Sequence, residues 1–253
     1  MSVTRQNSIL SAPVQGIALS AKRAGLLNKY FYFFMTLLIA GVVVYGFSRT
    51  VNENIIHPAV PRPFILYLHA TIFTGWLVFF IFQSVLVRTL HVRLHRQTGW
   101  FGVALGVAIP IVGIFTAIAM GRFNILHHRL EGVESFLIVP FFDITAFTIP
   151  FVLAIYWRKK PEFHRRLILI ASCALTAAGF GRFPPHILPP ILFYGGVDAL
   201  ILLGVARDLI VIRRIHPVYL YGLPAFIFGQ IVVMYTFMHN SPYWLKIAHA
   251  ILS

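Results

Sequence analysis

Histidine and arginine stand side by side in this chain in a pattern that suits cofactor binding. His95 is followed by Arg96, and His164 is followed by Arg165 and Arg166. Two imidazoles from facing segments could ligate the iron of one haem b, with the arginines paired to its propionates. The alternative is that histidines and arginines crowd the ends of membrane helices, where they contact anionic lipid headgroups. Both interpretations place these five residues at a membrane surface.

A second set of polar residues interrupts strongly apolar sequence. His69, Asp143 and Asp198 each lie several residues inside such a stretch, and Arg182 lies at the end of another. Ionisable groups inside a bilayer cost about 2.5–3.5 kcal/mol each on insertion scales, so they should face one another. The three could bind zinc or iron, or pass protons, with Arg182 in support. Alternatively, an Arg182–Asp pair and a hydrogen-bonded His69 simply tie helices together.

A third group of residues, His127, His128, Glu131 and Glu134, precedes the fourth apolar run. Two members at i,i+3 spacing would share a helix face and could support a metal. A solvated helix N-terminus with acidic residues in its first turn explains the same pattern.

Seven apolar runs must position these groups, and each is about as long as a helix that crosses a bilayer. Only helices satisfy their own backbone hydrogen bonds in lipid, so we predict an all-α polytopic membrane protein with seven transmembrane helices. The predicted spans are Tyr30–Phe47, Phe64–Val87, Trp100–Met120, Phe136–Trp157, Leu167–Phe183, Ile191–Ile212 and Val218–Met238.

Composition agrees with a membrane protein, since 58% of the 253 residues are hydrophobic and 11% are charged. We predict an N-terminal cytoplasmic arm over residues 1–28, the transmembrane domain over 29–240 and an amphipathic tail over 241–253 on the outer interface. The net charge of +14 is attributed to topology and to contact with anionic lipids, not to nucleic acid.

The distribution of lysine and arginine predicts the orientation. If the N-terminus is inside, 15 of the 21 basic residues fall on the inner side. The six on the outer side are Arg49, Arg62, Arg122, Arg129, Arg182 and Lys246. The positive-inside rule therefore predicts an inner N-terminus, an outer C-terminus and residence in a bacterial inner membrane.

Two motifs carry a family resemblance over roughly residues 64–183. Leu94-His95-Arg96-x-x-Gly99 follows His69, and His164-Arg165-Arg166-Leu167 leads through an apolar run to Arg182. Together they resemble a family of uncharacterised bacterial multi-pass membrane proteins with His-Arg-x-x-Gly and His-Arg-Arg-x-Met motifs. Leu167 or Ile168 stands where that family has methionine. The resemblance implies a bacterial membrane protein and no particular reaction.

A looser likeness is to the two-haem b-type transmembrane cytochromes, whose ligands come from four successive helices. The likeness implies that His95 and His164 form the pair of the inner side. The outer pair is incomplete, because Asp143 stands on the helix that should partner His69. It therefore implies one haem or none.

These patterns favour a b-type haem or electron-transfer membrane protein with a redox partner. The alternatives are a metal-dependent membrane enzyme that acts on a lipid-soluble substrate, and a cofactor-free accessory or assembly subunit of a larger membrane complex. The sequence identifies no catalytic residue.

Overall fold

The computed structural model describes residues 11–127 and 130–253, and for residues 11–24 it describes the backbone alone. Regular structure in the described residues is helical throughout, without a strand. Within the described ranges, ten α-helices follow in chain order: α1 Ser11–Ser48, α2 Phe64–Arg88, α3 Val92–Leu126, α4 Val133–Phe136, α5 Ile138–Tyr156, α6 Pro161–Ala174, α7 Ala177–Phe180, α8 Phe193–Ile212, α9 Pro217–Met238 and α10 Pro242–Leu252. The all-α prediction is confirmed.

The long helices form a ring around α6. In sequence around the ring, α1 packs on α2, α2 on α3, α3 on α5, α5 on α9, α9 on α8, and α8 on α1. The enclosed helix α6 contacts α1, α5, α8 and α9. Eight of its 14 residues are buried, including Arg166. Arg166 of α6 is therefore shielded by protein.

Six segments of the described chain are long and apolar enough to cross a membrane. They lie within α1, α2, α3, α4 with α5, α6 with α7, and α9. The remaining predicted span corresponds to α8, which has 20 residues but carries Asp198, Arg207 and Asp208. These three charged residues distinguish α8 from the six segments, although α8 is long enough to cross a membrane.

Helix ends follow local chemistry. Pro161, Pro217 and Pro242 begin α6, α9 and α10, where the missing N–H of proline leaves no helical hydrogen bond unmade. Gly132, with φ of +67°, precedes α4. The helix α1 begins at Ser11, so part of the predicted N-terminal arm is helical.

The helix bundle has two ends that differ in their residues. The basic end comprises residues 28–32, 83–98, 154–166 and 204–219, and the opposite end comprises residues 45–69, 116–127, 130–143, 178–198 and 230–252. The helix α10 packs on α3 and α4 at the opposite end, where Trp244 Nε1 donates to the carbonyl of Glu134 at 3.0 Å. Arg122 Nη2 also donates to the carbonyl of Ile251 at 2.9 Å.

Candidate functional site

His95 and His164 lie close together at the basic end. Each occupies the first turn of its helix, His95 in α3 and His164 in α6. Their ring centroids are 6.4 Å apart and the ring planes are inclined at 71°. Since α5 packs against both helices, it fixes their separation. The structure thus brings together the two histidines that were predicted as ligands.

The orientation of the His164 ring is fixed by a hydrogen bond. Its Nδ1 lies 2.9 Å from the carbonyl oxygen of Ala154. A carbonyl can only accept, so Nδ1 carries a proton and Nε2 is the nitrogen that remains for a metal. Nδ1 of His95 is buried and has no hydrogen-bond partner among the described residues.

The spacing of the two rings suits a shared metal ion. An imidazole nitrogen binds a metal at about 2 Å, so two axial imidazoles place their ring centroids about 6 Å apart. Each ring turns freely about its own metal–nitrogen axis, and the 71° inclination is compatible with this arrangement. The residues present therefore fit a haem iron held between His95 and His164.

The three arginines predicted to bind a cofactor have different environments. Arg96 is exposed beside His95. Arg165 donates from Nη2 to Glu162 Oε2 at 2.5 Å. Arg166 is fully buried and donates to both Asp208 oxygens, at 2.8 and 2.7 Å, and to Glu162. The guanidinium of Arg166 is thus occupied within the protein, which leaves Arg96 as the arginine open to a propionate.

A buried charge cluster at the basic end was missed by the sequence analysis. Asp208 has no solvent exposure and bridges Arg166 and Arg207, with Arg207 Nη1 at 2.7 Å from Oδ1. Arg207 also donates to Asn28 Oδ1, which connects α8 to α1. Adjacent opposite charges within an apolar run, Arg207 and Asp208, were the available signal, because such residues must be paired in the interior.

The second predicted site is not assembled as a metal centre. Asp143 Oδ1 accepts a hydrogen bond from Tyr194 at 2.8 Å, and Asp198 Oδ1 accepts one from Gln230 at 2.9 Å. His69 stacks on Phe73 with ring centroids 3.9 Å apart. Nowhere in residues 11–127 and 130–253 do three histidine, cysteine or acidic side chains form a group that could hold a metal ion.

The predicted supporting residues also have partners of their own. Arg182 donates to Thr50 Oγ1 at 3.2 Å and to the carbonyl of Ala178, and the described part of the chain contains no ion pair between it and an aspartate. His127 stacks on Phe123 with centroids 4.2 Å apart. The prediction for His128 lies outside the described residues.

The environment of His216 favours its neutral form. This residue precedes α9, and its Nδ1 accepts a hydrogen bond from the backbone N–H of Val218 at 3.3 Å. Burial, reinforced by the positive charge of Arg166, lowers its pKa. A neutral imidazole can accept this bond and a protonated one cannot, so His216 acts as an N-cap.

Fold and composition define the class as a helical, multi-pass membrane protein. Comparison of the chain with protein-family models, with curated proteins and with solved structures finds no match. The functional argument therefore depends on the geometry of its own residues.

Proposed function

We propose that this protein is a b-type haem protein of a membrane electron-transfer system, in which His95 and His164 would hold a single haem. The observation that carries the proposal is the separation of 6.4 Å between the two ring centroids. The hydrogen bond from His164 Nδ1 to Ala154 supports it, because it presents Nε2 as the ligand atom. Arg96 would pair with a propionate.

A bound haem would supply one-electron transfer. The protein's part is to hold the ligand geometry. The backbone of α5 orients His164, and the ring of helices encloses α6. The polar residues His69, Asp143 and Asp198, at the opposite end of the bundle, have no role in this proposal, since they are not grouped with one another.

The haem content of histidine variants tests the proposal. We expect His95→Ala and His164→Ala each to lose at least about tenfold of the bound haem, because an axial ligand is removed. His91→Ala is the matched control, since His91 is exposed at the same end and its ring hydrogen-bonds to Thr89 Oγ1 at 2.9 Å. The measurement is haem per folded protein after purification. Equal haem content, or none, in all four proteins would contradict the assignment of ligands.

The same proposal includes seven spans, an inner N-terminus and an outer C-terminus in a bacterial inner membrane. Fifteen basic residues on the inner side against six on the outer side support the orientation. The helix α8 serves as the seventh span because its charges pair with neighbouring helices.

Single cysteines introduced into Cys173→Ala protein test this topology by their reaction with an impermeant maleimide. Ser253→Cys should react in intact spheroplasts, and Arg214→Cys only after permeabilisation. The reverse pattern would overturn the orientation.

A further inference from the structure

The buried charge cluster at the basic end carries an unbalanced positive charge. Its guanidinium groups belong to Arg165, Arg166 and Arg207, and its carboxylates to Glu162 and Asp208. Three positive groups thus face two negative ones. Arg166 and Asp208 are fully buried and Arg207 is 2% exposed. The side chains of Arg165 and Glu162 are 31% and 56% exposed, so the excess positive charge lies at the accessible edge of the buried groups. A bound counter-anion would balance it.

Tyr32 of α1 lies between two of these arginines. The guanidinium carbon of Arg165 is 5.3 Å from its ring centroid and that of Arg207 is 5.5 Å away. The Tyr32 hydroxyl, Arg165 Nε and Arg207 Nε are all buried, and none has a hydrogen-bond partner among the described residues. Two arginines with an unpartnered Nε therefore flank the Tyr32 ring, whose own hydroxyl also has no partner among the described residues.

A fourth donor comes from α9. The Tyr219 side chain is 2% exposed and its hydroxyl is buried without a partner in the described part of the chain. It faces Gly204 of α8, which lies one helical turn from Asp208. Gly204 of α8 makes room for this hydroxyl, because a Cβ at that position would collide with it. Unpartnered donors thus come from four helices, α1, α6, α8 and α9, and α6 packs on the other three.

We propose that this cluster binds a phosphodiester group, with Tyr32, Arg165 and Arg207 as its donors. A buried donor without an acceptor is costly, so several of them favour an acceptor with many oxygens. A phosphodiester has such oxygens and one negative charge, which equals the excess at the site. Arginine is also the side chain best suited to bind phosphate.

The source of the phosphodiester is the headgroup of an anionic membrane lipid. The cluster lies at one end of the helix bundle, where lipid headgroups meet the protein, and Arg165, with 31% of its side chain exposed, provides the approach from outside. The inference is independent of the proposed haem, since it uses neither His95 nor His164.

Native mass spectrometry of protein released from nanodiscs tests this site. The nanodiscs contain phosphatidylglycerol and phosphatidylcholine in equal amounts, and the proteins are the wild type, Tyr32→Phe, Arg165→Gln and Arg214→Gln. Arg214 is exposed at the same end, so its variant removes the same charge without touching the cluster. We expect the wild type and Arg214→Gln to retain phosphatidylglycerol selectively. Retention should fall at least about tenfold in Tyr32→Phe and in Arg165→Gln.

Inorganic phosphate, titrated calorimetrically into lipid-free protein, distinguishes the two sources of the anion. Binding that Tyr32→Phe abolishes, without retention of phosphatidylglycerol, would keep the anion site and reject the lipid source. If the wild type neither bound phosphate nor retained phosphatidylglycerol, or if all four proteins retained phosphatidylglycerol equally, the proposal would be overturned.

Tyr32→Phe removes one hydroxyl only, so a normal unfolding temperature would show that any loss reflects binding. His95→Ala should retain the lipid, and its failure to do so would contradict independence from the haem.

Discussion

Asp208 lies without solvent exposure between the guanidinium groups of Arg166 and Arg207. Its carboxylate accepts hydrogen bonds through both oxygens and so joins α6 to α8. If Asp208 lost its charge, two arginines would remain buried with one fewer counter-charge. The cluster therefore makes a stabilising contribution that depends on this single carboxylate.

Replacement of Asp208 by asparagine should destabilise the protein strongly. We expect Asp208→Asn to cost about 3–5 kcal/mol, which lowers the midpoint of thermal unfolding in mild detergent by roughly 10 °C. Glu162→Gln is the control, because its side chain is 56% exposed and its ion pairs should contribute about 0–1 kcal/mol. Equal midpoints for the two variants would show that the buried pair is not stabilising.

At the residue scale, the sequence predicted that His95 and His164 lie together, but it did not predict the residues that surround them. His95 and His164 lie in the first turns of two helices that start at the same end of the bundle and run in the same direction, and both positions follow from the apolar runs. The bond between His164 and the Ala154 carbonyl could not be predicted, because it depends on the separation of α5 and α6. Asp208 was missed because a hydropathy pattern does not tell which charged residue within a run has a partner on another helix.

Two glycines control the contact between α1 and α7. A Cβ at Gly46 would collide with the backbone carbonyl of Gly179, whereas one at Gly41, five residues earlier on the same helix, would meet no atom within 4 Å. Backbone cannot move aside as a side chain can. The two helices consequently approach closely at the opposite end of the bundle.

Gly46→Ala should therefore cost about 1–3 kcal/mol through overpacking. Gly41→Ala should be neutral or gain up to about 1 kcal/mol from helix propensity. Unfolding midpoints of the two variants provide the comparison. If Gly46→Ala proved as stable as Gly41→Ala, α1 and α7 would lie farther apart at this contact than they do in the structure.

The N-cap of α9 predicts a dependence of stability on pH. Since the folded-state pKa of His216 is lowered, its contribution is complete above the unfolded value of about 6.5 and is lost as pH falls through the folded value. His216→Asn keeps an acceptor that does not titrate. Its unfolding midpoint should fall less than that of the wild type on acidification across this window. Parallel curves for the two proteins would argue against the cap.

Element boundaries were predictable only where composition changes. The fifth predicted span ran from Leu167 to Phe183, whereas the structure divides this region into α6, which begins at Pro161, and α7. The interruption at Leu175 and Thr176 follows no proline or glycine, and Thr176 Oγ1 donates to the carbonyl of Cys173 at 2.6 Å. Local back-bonding of this kind depends on tertiary contacts that the apolar pattern does not contain.

At the scale of the whole molecule, the ring of helices around α6 explains why charge is tolerated in so apolar a chain. Arg166, at the start of α6, faces Asp208 of α8 instead of lipid. The same enclosure places His164 beside α5 and opposite His95 of α3. Apolar surface remains on the outside of the ring, for example Phe115 at 61% exposure and Phe228 at 69%, as expected where helices face lipid.

The absorption spectrum of wild-type protein, purified in mild detergent from cells supplied with iron, tests the central claim most directly. The spectrum is recorded as isolated and again after reduction with dithionite. We predict the bands of a low-spin b-type haem with two imidazole ligands, which sharpen on reduction and correspond to a single haem per chain. A featureless spectrum from folded, monodisperse protein, before and after addition of haem, would contradict the assignment of His95 and His164 as haem ligands.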